Sequence, residues 1–344
     1  MKLLKRIAAA CLFVGFFLVT FTTTSCHRTG ASEVVIYSSI DDPYLRPLMR
    51  RFEQQSGITV RIVSDTEAAK SATLVERLIA EKSNPQADVY WGNEPFHAIN
   101  LAEQGLFDPY RPGTANDIPP RWRDAQDRYT GVGLRARMIA VSTRPQFKGL
   151  ASKIHGLADL ADPNLKGKIG ISHPAFGTAS GHVAALYLLW GPQKFEQYFR
   201  ALKANEVKLL GGNSAVAEQI AAGTLAVGPT DNDDINNAKS EGQPIDGVIP
   251  DQDDGGIGTL LIPGAVALVH GCKNADNAKK LIDFICDPAV EKELIAGRFL
   301  ACSVRDTSGV KGMDVDYAAV AHDMKHAVET ALTILQERQA ATTR

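Results

Sequence analysis

VVIYSSIDDP, residues 34–43, is the stretch that decides the fold. An apolar strand runs directly into two serines, two aspartates and a proline suited to the first turn of a helix. Such a strand-to-helix turn presents backbone N–H groups, hydroxyls and carboxylates at the carboxyl end of a strand, where α/β folds bind ligands. We therefore expect Ser38, Ser39, Asp41 and Asp42 to contact a ligand.

The chain after this stretch keeps alternating between strands and helices. Apolar strands are predicted at 34–37, 59–63 and 87–91, each followed by a helix, and Gly57 is expected to end the first helix. Three consecutive βα units predict a parallel sheet with helices on its faces.

A second alternating series follows a loop rich in proline and arginine at 109–123. Its predicted elements are a strand from 133 to 141, strands at 168–172, 207–210, 225–227 and 265–269, and helices at 180–190, 215–222, 275–285 and 317–339. The chain length suits two domains. The predicted fold class is therefore α/β, with two Rossmann-like lobes and a ligand cleft between them.

The N-terminal segment has the pattern of a secretory signal. Lys2, Lys5 and Arg6 precede an apolar run over about 7–21, and Cys26 follows small residues. The predicted organisation is a lipoprotein signal peptide at 1–25, lipidation of Cys26 and an anchor linker at 26–32. A lipid-anchored protein in the periplasm or at the cell surface is expected. The alternative is an ordinary signal peptide with an incidental cysteine.

Charge and cysteine content exclude several kinds of partner. The chain has a formal charge of −2, and loss of the three basic residues in its first 26 positions would leave −5. That charge argues against nucleic acid and anionic membrane surfaces as partners.

Cys272, Cys286 and Cys302 permit one disulfide in an oxidising compartment, and the sequence does not select the pair.

Three segments resemble bacterial extracellular solute-binding proteins of ABC importers. They are VVIYSSIDDPYLRPLMRRFEQQSGI (34–58), ADVYWGNEPFHAINLAEQGLFDPY (87–110) and GTLLIPGAVALVHGCKNADNAKKLIDFICDP (258–288). The resemblance is closest to the ferric-iron-binding branch with the type II periplasmic binding fold. It implies two lobes that close over a ligand by hinge motion, no enzymatic activity, no cofactor, a monomeric chain and a cognate membrane permease as partner.

The same resemblance implies where the chain passes between the lobes. Crossings are expected near Arg137 and Ile257. The expected lobes are 33–137 with 257–300 for lobe 1, and 138–256 with 301–340 for lobe 2.

The iron-binding branch also implies positions for metal ligands. Its histidine position falls near Asp41, and its glutamate position falls on Asn93, with Glu94 beside it. Its tyrosine pair falls within 230–234, where the chain has no tyrosine. A phenolate-type iron site therefore does not transfer directly to this chain.

Carboxylates take the place of the missing tyrosines in this prediction. Acidic groups that converge in a closed cleft need a cation, and oxygen ligands suit ferric iron, calcium, magnesium or a polyamine ammonium. The predicted metal ligands are Asp41, Glu94, Asp231 and Asp233, with Asp234 in the same cleft. The alternative is that these aspartates are helix N-caps and first-turn acids.

An anion site is predicted beside the acids. Gly177, Thr178 and Ser180 begin a helix whose free N–H groups suit a phosphate, phosphonate or carboxylate. Arg135 and Arg137 lie where related proteins hold an anion. The alternative is a packed helix entry with two surface arginines.

These patterns predict a lipid-anchored binding component of an ABC importer, with ferric iron, with or without a bound anion, as the transported ligand. A small organic anion such as a phosphonate, or a polyamine, is the alternative ligand. A secreted hydrolase that uses paired carboxylates, or a ligand sensor, would be a different class of protein.

Overall fold

A computed structural model describes residues 32–64 and 72–336. The predictions for the signal peptide and Cys26, and for the helix end at 337–339, lie outside these residues. Within the described ranges, no helix combines the length and apolar character needed to cross a membrane.

A parallel three-stranded unit forms one edge of the main sheet. Strand β1 (Glu33–Ser38) lies between β2 (Thr59–Ser64) and β3 (Val89–Gly92) and pairs in parallel with both. In this register Ser38 lies opposite Ser64 and Trp91, so three strands end at the same edge. The parallel arrangement predicted for these strands is confirmed.

One long strand joins this unit to the rest of the molecule. Strand β5 (Thr130–Ser142) pairs over 130–136 with β10 (Leu261–Val269), which also pairs with β3 and with the short β4 (Phe107–Asp108). From Arg137 onward, β5 pairs with β8 (Val227–Asp231) and β9 (Ile245–Val248). Strands β6 (Gly170–Ser172) and β7 (Lys208–Leu210) pair in parallel with each other in a separate sheet. The sheet partner of β5 therefore changes between Ala136 and Arg137.

Helices surround these strands and complete the mixed α/β fold, which confirms the predicted fold class. Their bounds are α1 (Asp42–Ser56), α2 (Ala72–Ala80), α3 (Phe96–Glu103), α4 (Thr178–Ala204), α5 (Asn213–Ala222), α6 (Asn232–Ser240), α7 (Ala275–Ile285), α8 (Pro288–Ala296) and α9 (Tyr317–Gln336). Helix α1 has Pro43 in its first turn and ends at Gly57, whose φ of 70° is the left-handed conformation that glycine tolerates. The assignment of 33–137 with 257–300 and 138–256 with 301–340 to two lobes stays a prediction.

Several elements differ from the predictions. The strand expected at 225–227 lies at Val227–Asp231, because Gly228 and Pro229 pair with β5 and do not break the strand. The helix expected at 180–190 is only the first part of α4, which bends at Gly191. Helix α6, whose sequence is mostly polar, was predicted only through the alternative that made Asp231 an N-cap with Asp233 and Asp234 in the first turn, and the structure has all three at those positions.

A close contact between α3 and α4 fixes the start of α4. A Cβ atom on Gly181 would lie 1.9 Å from the ring of Phe96, so glycine allows the two helices to meet here. Helix α9 packs on the same region through Val320 and Ala331, which share a buried cluster with Phe96 and Phe195. The beginning of α4 is therefore held rigidly beside the end of β3.

The three described cysteines, Cys272, Cys286 and Cys302, are free thiols in this structure. Cys286 is buried, while Cys272 and Cys302 pack against the same apolar cluster. Burial raises the pKa of each thiol, which keeps the reactive thiolate form scarce at neutral pH.

Replacement of Gly228 by alanine tests the close approach of β8 to β6. A Cβ atom on Gly228 would lie 1.9 Å from the carbonyl oxygen of Gly170, which is backbone and cannot rotate away. We expect Gly228→Ala to lower the free energy of unfolding by about 1–3 kcal/mol, measured by urea denaturation. Gly211→Ala, with no atom within 4 Å of its Cβ, is the control. Equal losses in both variants would contradict this account.

Candidate functional site

A cleft with a volume of about 570 Å³ opens between the β1–α1 turn and the helices α5 and α6. Its polar and aromatic lining consists of Ser38, Ser39, Asp41, Asp42, Tyr44 and Ser64 on one side, and Ser214, Glu218, Asp234, Asn237, Ser240 and Glu241 on the other. The volume lies within the range of sites for small molecules. The cleft also lies at the carboxyl ends of β1 and β2, where open α/β sheets bind ligands.

The β1–α1 turn is held by the end of β3. The Ser38 hydroxyl donates to the carbonyl oxygen of Trp91 at 2.9 Å, and the Ile40 N–H donates back to the Ser38 hydroxyl at 3.2 Å. The Ser39 hydroxyl accepts the Asn93 N–H at 2.9 Å. Because both serine side chains are used in these bonds, they shape the wall of the cleft.

The cleft lining is strongly acidic. Asp41, Asp42, Glu218, Asp234 and Glu241 line it, and none of the residues described as lining it is lysine, arginine or histidine. Asp41 occupies the N-cap position of α1, but its carboxylate makes no capping hydrogen bond to that helix. Acidic groups on both walls create a negative potential that attracts positive charge.

Beneath the cleft lies a buried ion-pair network centred on Asp231. Its Oδ1 accepts a hydrogen bond from Arg137 Nη1 at 2.7 Å, and its Oδ2 accepts one from Arg135 Nη1 at 3.0 Å. The Thr178 hydroxyl also donates to Oδ2, at 2.7 Å. Burial alone would raise the pKa of Asp231, but the two arginines outweigh it and hold that pKa below its usual value.

Arg135 extends the network to the β3–α3 turn. Its Nη2 donates to the carbonyl oxygen of Asn93 at 2.7 Å, and its Nη1 reaches Asp233 Oδ2 at 3.2 Å. Burial would lower the pKa of Arg135, but Asp233 and Asp231 raise it, so the guanidinium stays charged. The formal charges of Arg135, Arg137, Asp231 and Asp233 sum to zero.

Asp234 differs from its two acidic neighbours because it lines the cleft. Its Oδ2 accepts the Thr230 hydroxyl at 2.9 Å. Burial, followed by the charges of Asp233 and Asp231, raises the pKa of Asp234 well above its usual value. Carboxylate oxygens of Asp231, Asp233 and Asp234 lie within 4.8 Å of one another, but the arginines already compensate the first two.

Two further predicted positions are helix starts outside the cleft lining. The Glu94 carboxylate accepts the N–H groups of Phe96 and His97 at 2.6 and 3.2 Å, so it stabilises the first turn of α3. At the start of α4, the Ser180 hydroxyl donates to the Gly177 carbonyl at 2.7 Å, and the Ser180 N–H donates to the same oxygen.

The structure thus distributes the predicted site residues over three places. The cleft lining contains Ser38, Ser39, Asp41, Asp42 and Asp234; the buried network contains Asn93, Arg135, Thr178, Asp231 and Asp233; the helix starts contain Glu94, Gly177 and Ser180. Of the four predicted metal ligands, only Asp41 lines the cleft.

Sequence reasoning missed several lining residues, namely Ser64, Ser214, Glu218, Asn237, Ser240 and Glu241. Ser64 ends a strand parallel to β1, so the rule that parallel strands share one functional edge would have found it. The others lie near the start of α5 or on α6, and no local pattern marks them as facing the cleft.

The mixed α/β fold and the open cleft at the ends of its parallel strands define an extracytoplasmic-type solute-binding protein. The chain belongs to the bacterial extracellular solute-binding protein family, which it matches over residues 34–296. The resemblance noted from the sequence is thereby confirmed. Relatives of the chain are named as solute-binding proteins.

Relatives of the chain are named for different ligands. It is 28% identical over 277 residues to a putative 2-aminoethylphosphonate-binding periplasmic protein of Salmonella typhimurium, covering 78% of each chain. It is 26% identical over 197 residues to an Fe(3+)-binding periplasmic protein of Serratia marcescens, covering 57% of this chain and 55% of the relative. The fold matches the periplasmic binding protein AfuA of Actinobacillus pleuropneumoniae, solved with fructose-6-phosphate, with a TM-score of 0.76 and 24% identity over 89% of this chain and 99% of the other.

Asp231→Asn tests the buried network. The isosteric amide leaves Arg135 and Arg137 without their shared counter-charge, so we expect a loss of about 3–5 kcal/mol in unfolding free energy at neutral pH. Because the pKa of Asp231 is lowered in the folded protein, its contribution is present above the unfolded pKa of about 3.9 and is lost as the pH falls below it. Denaturant titrations from pH 7 to pH 3 should therefore show a constant difference in unfolding free energy down to about pH 4 and a shrinking difference below it.

The matched control is Asp246→Asn. Asp246 pairs with Lys239 at 2.8 Å, but both side chains are largely exposed, so its replacement should cost no more than about 1 kcal/mol. An Asp231→Asn protein as stable as the Asp246→Asn protein would show that the network contributes little.

Proposed function

We propose that the chain is the substrate-binding component of an ABC importer and that its cleft takes a small organic ligand with a positively charged group. The acidic lining of the cleft carries this proposal. Five carboxyl groups face the cleft, and its lining includes no basic side chain in the described part of the chain. Asp42 is also paired with Arg46 at 2.8 Å, and the acids together give the cleft a negative potential that a positively charged ligand group would offset.

The dimensions of the site favour an organic cation over a bare metal ion. The cleft volume of about 570 Å³ far exceeds the space of one ion. Among the described residues, the acidic group close enough to share an ion is Asp231 with Asp233 and Asp234, and arginines neutralise the first two. A ligand that spans both walls therefore suits this site.

Groups suited to an anion lie in the same cleft. Helices α1 and α5 both begin at its wall, and Ser214 lies in the first turn of α5 after Gly212, which has no capping side chain. A helix N-terminus favours negative charge. An aminoalkylphosphonate carries both an ammonium and an anionic group, and the Salmonella relative is named for binding one. We propose this ligand class first.

Ferric iron is the second candidate, because a tyrosine lines the cleft. The Tyr44 hydroxyl donates to Asn237 Oδ1 at 2.8 Å across the cleft. Burial and the charges of Asp233 and Asp41 raise the pKa of Tyr44, so an ion would have to displace its proton. Tyr44 with Asp41 and Asp42 would offer oxygen ligands of the type that ferric iron prefers. The Serratia relative is named for Fe(3+) binding.

Transport requires a membrane partner and a change between open and closed forms. We propose a cognate permease as that partner and the periplasm, with lipidation of Cys26, as the location. A ligand shifts the equilibrium between the open and closed forms only by the difference in its affinity for the two forms. The Tyr44–Asn237 hydrogen bond already joins the two walls of the cleft.

Titration calorimetry with matched ligands tests the proposed ligand class. 2-Aminoethylphosphonate should bind at least about 10-fold more tightly than ethylphosphonate, which lacks the amine, because only the amine meets the acidic walls. Glu218→Gln should remove most of that difference. Glu196→Gln, an exposed acid on α4 outside the cleft lining, is the control and should retain it. Equal binding of the two phosphonates would overturn the proposal, and tight binding of putrescine alone would identify a polyamine site.

Thermal denaturation with ferric citrate against citrate alone tests the iron candidate. A ligand at about a hundred times its dissociation constant stabilises the native state by roughly 2.7 kcal/mol, a readily measured increase in Tm. If iron binds through Tyr44, the complex should absorb visible light by phenolate-to-iron charge transfer, and Tyr44→Phe should abolish that band. The absence of both effects would exclude this candidate.

A further inference from the structure

A small, partly enclosed cavity lies beside the buried network, between the start of α4 and strand β6. Its volume is about 30 Å³, and much of its wall is apolar, including Ile171, Val183, Leu186 and Phe199. Tyr198, which is partly exposed, also lines it, as do three buried polar side chains, Arg137, Ser172 and His182. Their exposed fractions are 2%, 4% and 4%, so they are shielded from bulk water.

Each of these three side chains directs unused hydrogen-bonding capacity into the interior. Arg137 Nε, Ser172 Oγ and His182 Nε2 have no hydrogen-bond partner among the residues that the structure describes. The Nη1 atom of Arg137 donates to Asp231, Asn213 and Thr178. A buried polar atom without a partner costs about 1–3 kcal/mol, and such atoms are rare in folded proteins. Their presence around one cavity indicates a shared ligand.

The size and charge of the cavity specify that ligand. About 10–15 Å³ is enough for one water molecule, which needs two to four polar partners, so this cavity holds one or two. An anion is disfavoured because the two arginines are already balanced by Asp231 and Asp233. Burial and then the charge of Arg137 lower the pKa of His182 to about 3, so its imidazole is neutral and one ring nitrogen accepts.

We propose that this cavity is a hydration site in which ordered water joins Arg137 Nε, Ser172 Oγ and His182 Nε2. The water accepts from Arg137, donates to the imidazole of His182 and exchanges a hydrogen bond with Ser172. The water accepts the N–H of Arg137 Nε, which holds the guanidinium in the orientation where Nη1 donates to Asp231. Ser172 and His182 are therefore positioning residues for the network beneath the cleft.

A crystal structure of the protein at about 1.5 Å, with and without a bromide soak, tests the site directly. Density for water within about 2.7–3.2 Å of all three atoms is the expected result. A dry cavity, or side chains that rotate to bond one another, would overturn the proposal. An anomalous bromide peak in the cavity would also overturn it, because it would identify an anion site.

A pair of serine variants distinguishes the loss of a hydrogen bond to the water from the removal of a buried hydroxyl group. Ser142 is also buried, and its hydroxyl also has no partner in the described structure, but it is not among the residues that line this cavity. Ser172→Ala should lower the Tm by about 2 °C, because the water loses a partner, and should shift or remove the water in the crystal. Ser142→Ala should leave the Tm unchanged or raise it. Equal Tm changes, with the water in place in Ser172→Ala, would contradict a bridging role.

Discussion

The buried pairing of Asp231 with Arg135 and Arg137 is the interaction on which the arrangement of this molecule depends. Both arginines lie on β5, on either side of the point where that strand changes its sheet partner. Asp231 ends β8 and precedes α6, and Arg135 also binds the carbonyl of Asn93 in the β3–α3 turn. One network therefore connects both walls of the cleft to strand β5. Because the charges are buried, removal of any one leaves an uncompensated ion, so the geometry tolerates little change.

The same network determines the charge of the cleft. An arginine free to face the cleft would make it a site for anions. Here Arg135 and Arg137 are directed inward, and their charge is balanced by Asp231 and Asp233. The acids on α5 and α6 then remain without basic neighbours in the lining, and their combined field favours a cationic group. The negative potential of the cleft thus depends more on the inward orientation of Arg135 and Arg137 than on the net charge of the chain.

The sequence allowed the fold class, the parallel strands and the β1–α1 turn to be predicted, because these depend on local periodicity and on turn residues. Asp41 and Asp42 were correctly placed at the carboxyl edge of the sheet for the same reason. The roles of Arg135 and Asp231 were not predictable in this way, since they are 96 positions apart and either residue type also suits a ligand. Glu94 illustrates the remaining difficulty: an acid after a strand has the same local pattern whether it faces a ligand or stabilises a helix start.

The segment 230–234 shows how one fold serves ligands of different chemistry. The resemblance to iron-binding proteins implies tyrosines here that would coordinate the ligand, but this chain has acids whose carboxylates pair with its own arginines. Asp231 and Asp233 therefore support the scaffold, while Asp234 lines the cleft together with residues outside this segment, among them Tyr44, Ser214 and Glu218. Relatives named for different ligands share this fold, so the backbone topology alone does not specify the ligand. The different residues in segment 230–234 leave the fold intact, since the buried charges of this chain remain balanced.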